Sequence, residues 1–205
     1  MGQGPDEAQG WGIFGLTGLV GEALRASLGG HDPLAWALSR HPPSASPPWI
    51  TGALPAPPPL PPVQALASLG PLDAFTDWFE ASGHSPARLV ALGSTSLSGK
   101  QDSPDPAERA LATRLADCER RLANACRARG TALLILRPTL IWGRGRDRNL
   151  SRWVALARRL RWLPFPADGN GLRQPVHADD VAAAVLAALR RPEPLAGCFD
   201  LPGGE

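Results

Sequence analysis

Three glycines at a spacing of three, Gly15, Gly18 and Gly21, punctuate the run Gly15-Leu16-Thr17-Gly18-Leu19-Val20-Gly21 near the start of the chain. A short apolar run, Trp11-Gly12-Ile13-Phe14, precedes them, and Leu19–Leu28 reads as a helix. Strand, glycine turn and helix in that order open a strand–helix–strand unit, which admits few folds. Glycine accepts turn angles that other residues resist and lets the main chain approach a bound group. The helix that follows points free N–H groups and its positive dipole end at that group, which suits a pyrophosphate. All seven residues are therefore candidates for holding a dinucleotide. A glycine-rich strand-to-helix turn without a ligand is the plainer alternative.

A second apolar run, Pro33–Leu38, ends in Ser39-Arg40. In a dinucleotide fold the ribose-reading residue lies roughly 20 residues past the glycines. An acidic residue there binds the 2′-hydroxyl of NAD. Here Ser39 and Arg40 stand at that place, with His41 beside them, and a guanidinium suits a 2′-phosphate. NADP is thus favoured over NAD, against the alternative of a solvated surface arginine.

The remaining pattern alternates strands and helices. His41–Pro62 holds ten of the 23 prolines. Proline lacks a ladder donor, so this stretch reads as a stiff surface loop in which only Trp49-Ile50-Thr51 can be a strand. Val63–Leu69 is a strand candidate closed by Gly70-Pro71, and Leu69, Gly70 and Pro71 join the cofactor-binding set. Leu72–Ala81 is a short amphipathic helix with Phe75, Trp78 and Phe79. Arg88–Leu92 is a buried strand. Pro106–Arg129 is a long helix with Leu111, Leu115, Cys118, Leu122 and Cys126 on one stripe, and Gly130 ends it. Thr131–Leu136 is the next strand, and Leu150–Leu160 and Val181–Leu189 are later helices. This order predicts an α/β fold with a doubly wound parallel sheet of Rossmann type, in one domain over residues 1–205.

Composition excludes several function classes. The net charge of +2 gives no bulk electrostatic case for nucleic acid or membrane. Lys100 is the sole lysine among 21 basic residues. Three cysteines, Cys118, Cys126 and Cys198, form no Cys-x-x-Cys pair, which fits a reducing cytoplasm and no zinc or other metal site. No 18-residue apolar span exists, and Met1–Gly10 does not read as a signal peptide.

Taken together, these landmarks resemble the short-chain dehydrogenase/reductase superfamily, in its extended or atypical branch of NAD-dependent epimerase/dehydratase-like proteins. The likeness runs from about Gly12 to Glu205. It rests on the glycine loop, Ala37-Leu38-Ser39-Arg40, Val90–Ser96, Leu136-Arg137-Pro138-Thr139 with Ile141-Trp142-Gly143, Gln174–Ala182, and Leu201–Glu205. The resemblance implies an oxidoreductase or epimerase using NAD or NADP on a small molecule or nucleotide-sugar. It implies that one of Ser94, Thr95 and Ser96 orients the substrate carbonyl as a hydroxyl donor. A capped strand end is the alternative use of these residues. It also implies that Pro138 and Thr139 pass under the nicotinamide.

Departures from the pattern are equally informative. The family's Tyr-x-x-x-Lys pair sits on one face of the helix after that strand, and this chain has no tyrosine. Counting back from Glu119 puts Leu111 and Leu115 at those positions. Lys100, four residues after Ser96, is a conceivable substitute or simply a solvated loop lysine. Phe14 replaces a common threonine, and Ala53-Leu54 replaces the Asp-Leu that contacts adenine.

Gly143–Arg161 carries seven arginines. In epimerase-like relatives this region lines the substrate pocket, and guanidinium forks suit a diphosphate. The loop arginines Arg144, Arg146 and Arg148 are the substrate candidates, and the others read as a solvated helix face. Asn149 reads as that helix's N-cap, and Asp179 or Asp180 as the cap of Val181–Leu189. The chain stops where extended members usually continue, so a reduced or truncated C-terminal substrate subdomain is expected. Three readings remain: an enzyme with a non-standard proton donor, a non-catalytic dinucleotide-binding regulator or scaffold, and a nucleic-acid module built on Arg144–Arg161. The near-neutral charge counts against the last.

Overall fold

A computed structural model describes residues 9–43, 47–145, 147, 156–161 and 174–204. Its centre is a seven-stranded, wholly parallel sheet. The strands are β1 (Trp11–Phe14), β2 (Leu34–Ser39), β3 (Trp49–Thr51), β4 (Ala65–Ser68), β5 (Arg88–Leu92), β6 (Ala132–Pro138) and, after two short ones, β9 (Gly197–Leu201), in the order β3-β2-β1-β4-β5-β6-β9. The order in which successive strands are added reverses at β1, which pairs with β2 on one side and β4 on the other. Ligands of open α/β sheets bind in the crevice at such a switch point, beyond the carboxyl ends of the strands. A separate two-stranded pair joins β7 (Ile141–Trp142) to β8 (Val176–His177).

Helices cover both faces, as buried parallel strands require. Helix α1 (Leu19–Ser27) and helix α5 (Ala178–Arg190) share one side, where Ile13, Leu24, Ala67, Val90, Val181 and Val185 form a core. Helix α2 (Leu72–Ala81) and helix α4 (Pro106–Arg129) share the other, over Leu66, Leu89, Leu122 and Cys126. An aromatic cluster sits under the switch point on that second side. The Phe14 ring lies 5.3 Å from Trp36, 5.1 Å from Phe75 and 4.7 Å from Trp78, in edge-on and tilted geometries. Gly12 makes room for it: a methyl group there would stand 2.3 Å from the Trp36 ring.

The proline-rich stretch is anchored rather than loose. Trp36 Nε1 donates to the Pro61 carbonyl at 3.0 Å, and Leu60 and Val63 are buried. Pro58 folds back so closely that a Cβ at Gly52 would lie 2.5 Å from its Cδ.

Local capping sets the helix bounds. Helix α4 starts at Pro106 because Asp105 accepts from the Ala107 N–H at 2.8 Å. It ends at Gly130, which takes the left-handed angle φ 68°. Helix α5 begins three residues before Val181, because the His177 ring Nδ1 accepts from the Asp179 N–H at 3.2 Å. The expected cap at Asp179 or Asp180 is therefore corrected: both lie in the first turn. The long stripe on α4 is also corrected. Cys118, Leu122 and Cys126 are core, but Leu111 and Leu115 are only half-buried. Of the expected helix Leu150–Leu160, the described residues 156–160 are helical, and the rest, with Asn149, lies outside the described residues. Among the described residues no helix is long and apolar enough to cross a membrane.

Candidate functional site

The glycine loop turns sharply out of β1. Gly15 has φ +84°, and a Cβ there would stand 2.9 Å from the Leu69 backbone, so the loop packs against the end of β4. The Gly18 N–H closes the turn on the Gly15 carbonyl at 2.9 Å. Any Cβ at Gly21 would lie 2.1 Å from the Gly15 carbonyl oxygen, so only glycine lets α1 start this close to the strand. Gly18, the N-cap of α1, brings no capping side chain. The first-turn N–H groups of α1 thus open onto the crevice beyond β1, the arrangement that can bind a diphosphate.

A cavity of about 300 Å³ opens beside this loop toward β2 and β3. Phe14, Gly15 and Thr17 form one wall, and Leu38, Ser39 and Arg40 another. Gly52, Ala53 and Leu54, just past β3, form the third, and Gly70, Pro71 and Ala74 close it beyond β4. Ser39 is buried, and its Oγ accepts from the His41 N–H at 3.2 Å. Arg40 is exposed at the rim, and none of its interactions with the described residues amounts to an ion pair or hydrogen bond. Gly15, Thr17, Ser39, Arg40, Gly70 and Pro71 therefore share one cavity, while Leu69 does not line it and only its backbone lies against Gly15. Leu38, Gly52 and Ala74 also line the cavity, without a local sequence signal. Leu38 lies in β2, Gly52 just past β3 and Ala74 in α2 after β4, and the pairing of β1 with β2 and β4 and of β2 with β3 brings them together.

The far side of the crevice is built by the ends of β5 and β6. Thr95 is tied to β6: its N–H and Oγ1 both reach the Pro138 carbonyl, at 3.3 and 3.5 Å. Ser94 Oγ accepts from the Ser96 N–H at 3.2 Å, which leaves its own proton to donate. Thr139 is occupied structurally, since its hydroxyl donates to the Gln174 carbonyl and its N–H to Leu201 at 3.2 Å. Short helix α3 (Ser96–Gly99) leads to Lys100, whose ammonium pairs with Glu108 at 2.7 Å. Lys100 is thus ion-paired rather than merely solvated, and Ser103 Oγ donates to the same carboxylate at 2.7 Å.

Behind this end, Glu119 of α4 is buried and receives a two-pronged contact from Arg137 of β6, with Nε 3.0 Å from Oε1 and a shorter contact from the terminal nitrogen to Oε2. The carboxylate keeps the Arg137 guanidinium protonated beyond the ordinary arginine range. Gly93 admits the pair, because a Cβ there would stand 2.7 Å from Glu119 Oε1.

Of the three substrate arginines, Arg146 and Arg148 lie outside the described residues. Arg144 is described: it has φ 53°, and its Nε donates to Asp179 at 2.8 Å. That bond docks the β7 loop on the start of α5. Close by, Gly143 touches the His177 ring, and Trp142 stacks edge-on to the same ring at 4.8 Å.

Known proteins match this architecture. Solved structures that resemble it include MoeE5 in complex with UDP-glucose and NAD, with a TM-score of 0.75 and 22% identity over 96% of this chain and 77% of that one. UDP-N-acetylglucosamine 4-epimerase from Bacillus cereus gives a TM-score of 0.71 at 16% identity, over 97% of this chain and 77% of the other. At these identities the likeness is one of fold. A dTDP-L-rhamnose 4-epimerase of Burkholderia thailandensis is 32% identical over 121 residues, which are 55% of this chain and 33% of that protein. The chain thus spans about a third of the length of that relative. The model of the NAD dependent epimerase/dehydratase family matches residues 74–197, more than half of the chain. With its parallel sheet, glycine turn and switch-point crevice, the chain belongs to the NAD dependent epimerase/dehydratase family.

Proposed function

We propose that this chain binds an NAD(P) dinucleotide across the switch point, with NADP favoured, and works on a nucleotide-sugar or similar small molecule. The observation that carries the reading is the close approach of Gly21 to the Gly15 carbonyl at the start of α1, where the N-cap Gly18 brings no capping side chain. In this reading the pyrophosphate lies on Gly15–Gly21. The adenosine half enters the cavity bounded by Ser39 and Arg40, and the nicotinamide half turns toward Ser94, Pro138 and Thr139. The exposed Arg40 guanidinium, without a partner among the described residues, favours a 2′-phosphate. Among the resembling structures, MoeE5 is described with NAD and UDP-glucose, and a human epimerase family protein with NADPH.

A bound nicotinamide supplies hydride transfer. The protein's part is to hold the substrate oxygen beside it, and Ser94 is the best placed donor because its Oγ accepts from Ser96 and donates to no partner among the described residues. Arg144, docked on Asp179, stands where the β7 loop can meet a diphosphate.

A second reading, a dinucleotide-binding regulator or scaffold without catalysis, is favoured by one observation. The helix positions that would carry the proton-relay pair are the half-buried, apolar Leu111 and Leu115. Calorimetric titration with NADPH, NADP, NADH and NAD tests the common part of both readings, with Gly18→Arg as the control. Micromolar binding that vanishes in the variant is expected, and four silent titrations overturn it. Turnover of UDP- and dTDP-hexoses by the loaded protein then separates enzyme from regulator.

A further inference from the structure

We infer that the protein carries a second ligand site, for a small phosphate-bearing molecule, at the amino-terminal edge of the sheet, opposite the dinucleotide crevice. A cavity of about 490 Å³ opens there, and none of its lining residues takes part in the dinucleotide reading above. Trp11 opens β1, Arg88 opens β5 and Gln64 precedes β4, while Arg190 ends α5 with Arg191 just beyond it.

Three guanidiniums line this cavity against one carboxylate, that of Asp32. The carboxylate is already engaged: it is covered, and it accepts from two Arg190 nitrogens and from the Gly29 N–H. The carbonyls at the end of α5 would repel an anion, but Arg88 covers them by donating to those of Ala188, Leu189, Arg191 and Pro192. Arg88 is itself more than nine-tenths buried, and none of these contacts is with a carboxylate. Its Nε–H has no acceptor among the described residues. The exposed Arg191 guanidinium and Gln64 amide have no partner among them either.

A buried cation without a counter-ion gains from an anion that takes its uncommitted N–H. Here the free donors come from three elements: β5, the approach to β4, and the chain just past α5. A tetrahedral phosphate offers three oxygens to donors from three directions, whereas a carboxylate offers two in one plane. The charge also matches. Three positive charges less that of Asp32 leave +2 in the wall, and a phosphate monoester carries about −1.5 to −2 at pH 7. The remaining walls, Trp11, Pro33, Leu189 and Pro192, are apolar and suit an organic body attached to the phosphate.

The test is calorimetric titration of the full chain with inorganic phosphate at constant ionic strength, beside malonate as a dicarboxylate of similar charge. Gly18→Arg is titrated as well, because the glycine loop can also take phosphate. Phosphate is expected to bind with a Kd below about 1 mM, more tightly than malonate, and to keep that affinity in Gly18→Arg. Gln64 and Arg191 are exposed, so their replacement leaves the fold intact. Arg191→Gln is expected to weaken phosphate by about tenfold, the loss of one charge-assisted contact. Gln64→Glu keeps the size of the side chain, sets a carboxylate in the wall and is expected to abolish binding. Binding that disappears in Gly18→Arg, or that neither wall variant changes, puts the phosphate elsewhere and overturns the inference. Malonate binding as tight as phosphate overturns it too, as does no phosphate binding up to about 10 mM. The dinucleotide reading stands or falls separately, on the nucleotide titrations.

Discussion

Glu119 and Arg137 join the long helix to the sixth strand by a two-pronged contact across 18 residues of sequence, with the glutamate buried at the joint. The pair fixes the rotation of α4 over the sheet, and with it the direction of Leu115 and Leu111, one and two turns further toward the crevice. A buried carboxylate left without its cation carries its full desolvation cost. Arg137→Leu is therefore expected to destabilise the fold by about 3 kcal/mol. Glu119→Leu combined with Arg137→Leu should recover much of that, because two apolar groups leave no charge behind. Urea denaturation of the single and double variants measures both. A double variant less stable than Arg137→Leu alone would count against this account.

Arg40 tests the cofactor preference separately from cofactor binding. Its guanidinium is exposed at the cavity rim with no partner among the described residues, so removing it should cost the fold little. Arg40→Ala is expected to weaken NADPH by about tenfold, the equivalent of about 1.4 kcal/mol from one charge-assisted contact. NADH should change by less than about twofold, since it lacks the phosphate. Equal losses for the two nucleotides would place Arg40 elsewhere on the ligand.

Much of this site is legible in the sequence, and the boundary of legibility has a physical form. β3, α2, β5 and α4 stand where apolar period, proline and glycine put them, because those signals act within a few residues. The glycine loop is legible for the same reason, since its contacts run from Gly15 to Gly21. Glu119 was legible only as a landmark for counting. A glutamate on a helix stripe normally faces water, and the cation that buries it comes from another strand with no local trace. The start of α5 was misjudged because aspartate is the usual cap and an imidazole nitrogen took its place. The cavity wall was half read. Ala53-Leu54 stands out as a departure, while Leu38, Gly52 and Ala74 meet only where the ends of β2 and β3 face the start of α2.

The cysteines give the pH dependence. Burial pushes the Cys126 thiol up to about 12 from an ordinary value of 9.0, and burial also raises Cys118. Above pH 9 the unfolded chain releases a proton that the folded chain retains, so stability falls as pH rises from about 9 toward 12. Cys126→Ala is expected to flatten that fall while costing about 1 kcal/mol at pH 7 through lost packing. Denaturation midpoints at pH 7, 9 and 10.5 decide this. A wild-type midpoint unchanged across the series would overturn it.

Arg88 lies at the opposite end of the sheet from the crevice and explains how α5 is held there. It is 9% exposed, and no carboxylate among the described residues pairs with it. Instead Nη1 donates to the carbonyls of Ala188, Leu189 and Arg191, and Nη2 to that of Pro192 at 3.1 Å. These are the last carbonyls of α5 and the chain just past it, the groups a helix cannot satisfy itself. A cation there also meets the negative end of the helix dipole. Arg88 is thus the C-terminal cap of a helix 100 residues away in sequence, which turns a buried charge into a clamp between β5 and α5. Arg88→Met keeps the stem and removes the donors, so several carbonyls lose their partners at once. The expected loss is about 2–3 kcal/mol, and hydrogen exchange should accelerate in the last turn of α5 before it does in α1. Asp32→Asn is the control. Its covered carboxylate holds the half-exposed Arg190 of the last turn of α5 at 2.7 Å, and that pairing lowers the Asp32 pKa. Its contribution is present at neutral pH, is lost as pH falls through that depressed value, and amounts to less than about 1 kcal/mol because Arg190 is half exposed. Equal destabilisation by the two variants at pH 7 would mean that the carbonyl clamp is worth no more than a surface ion pair.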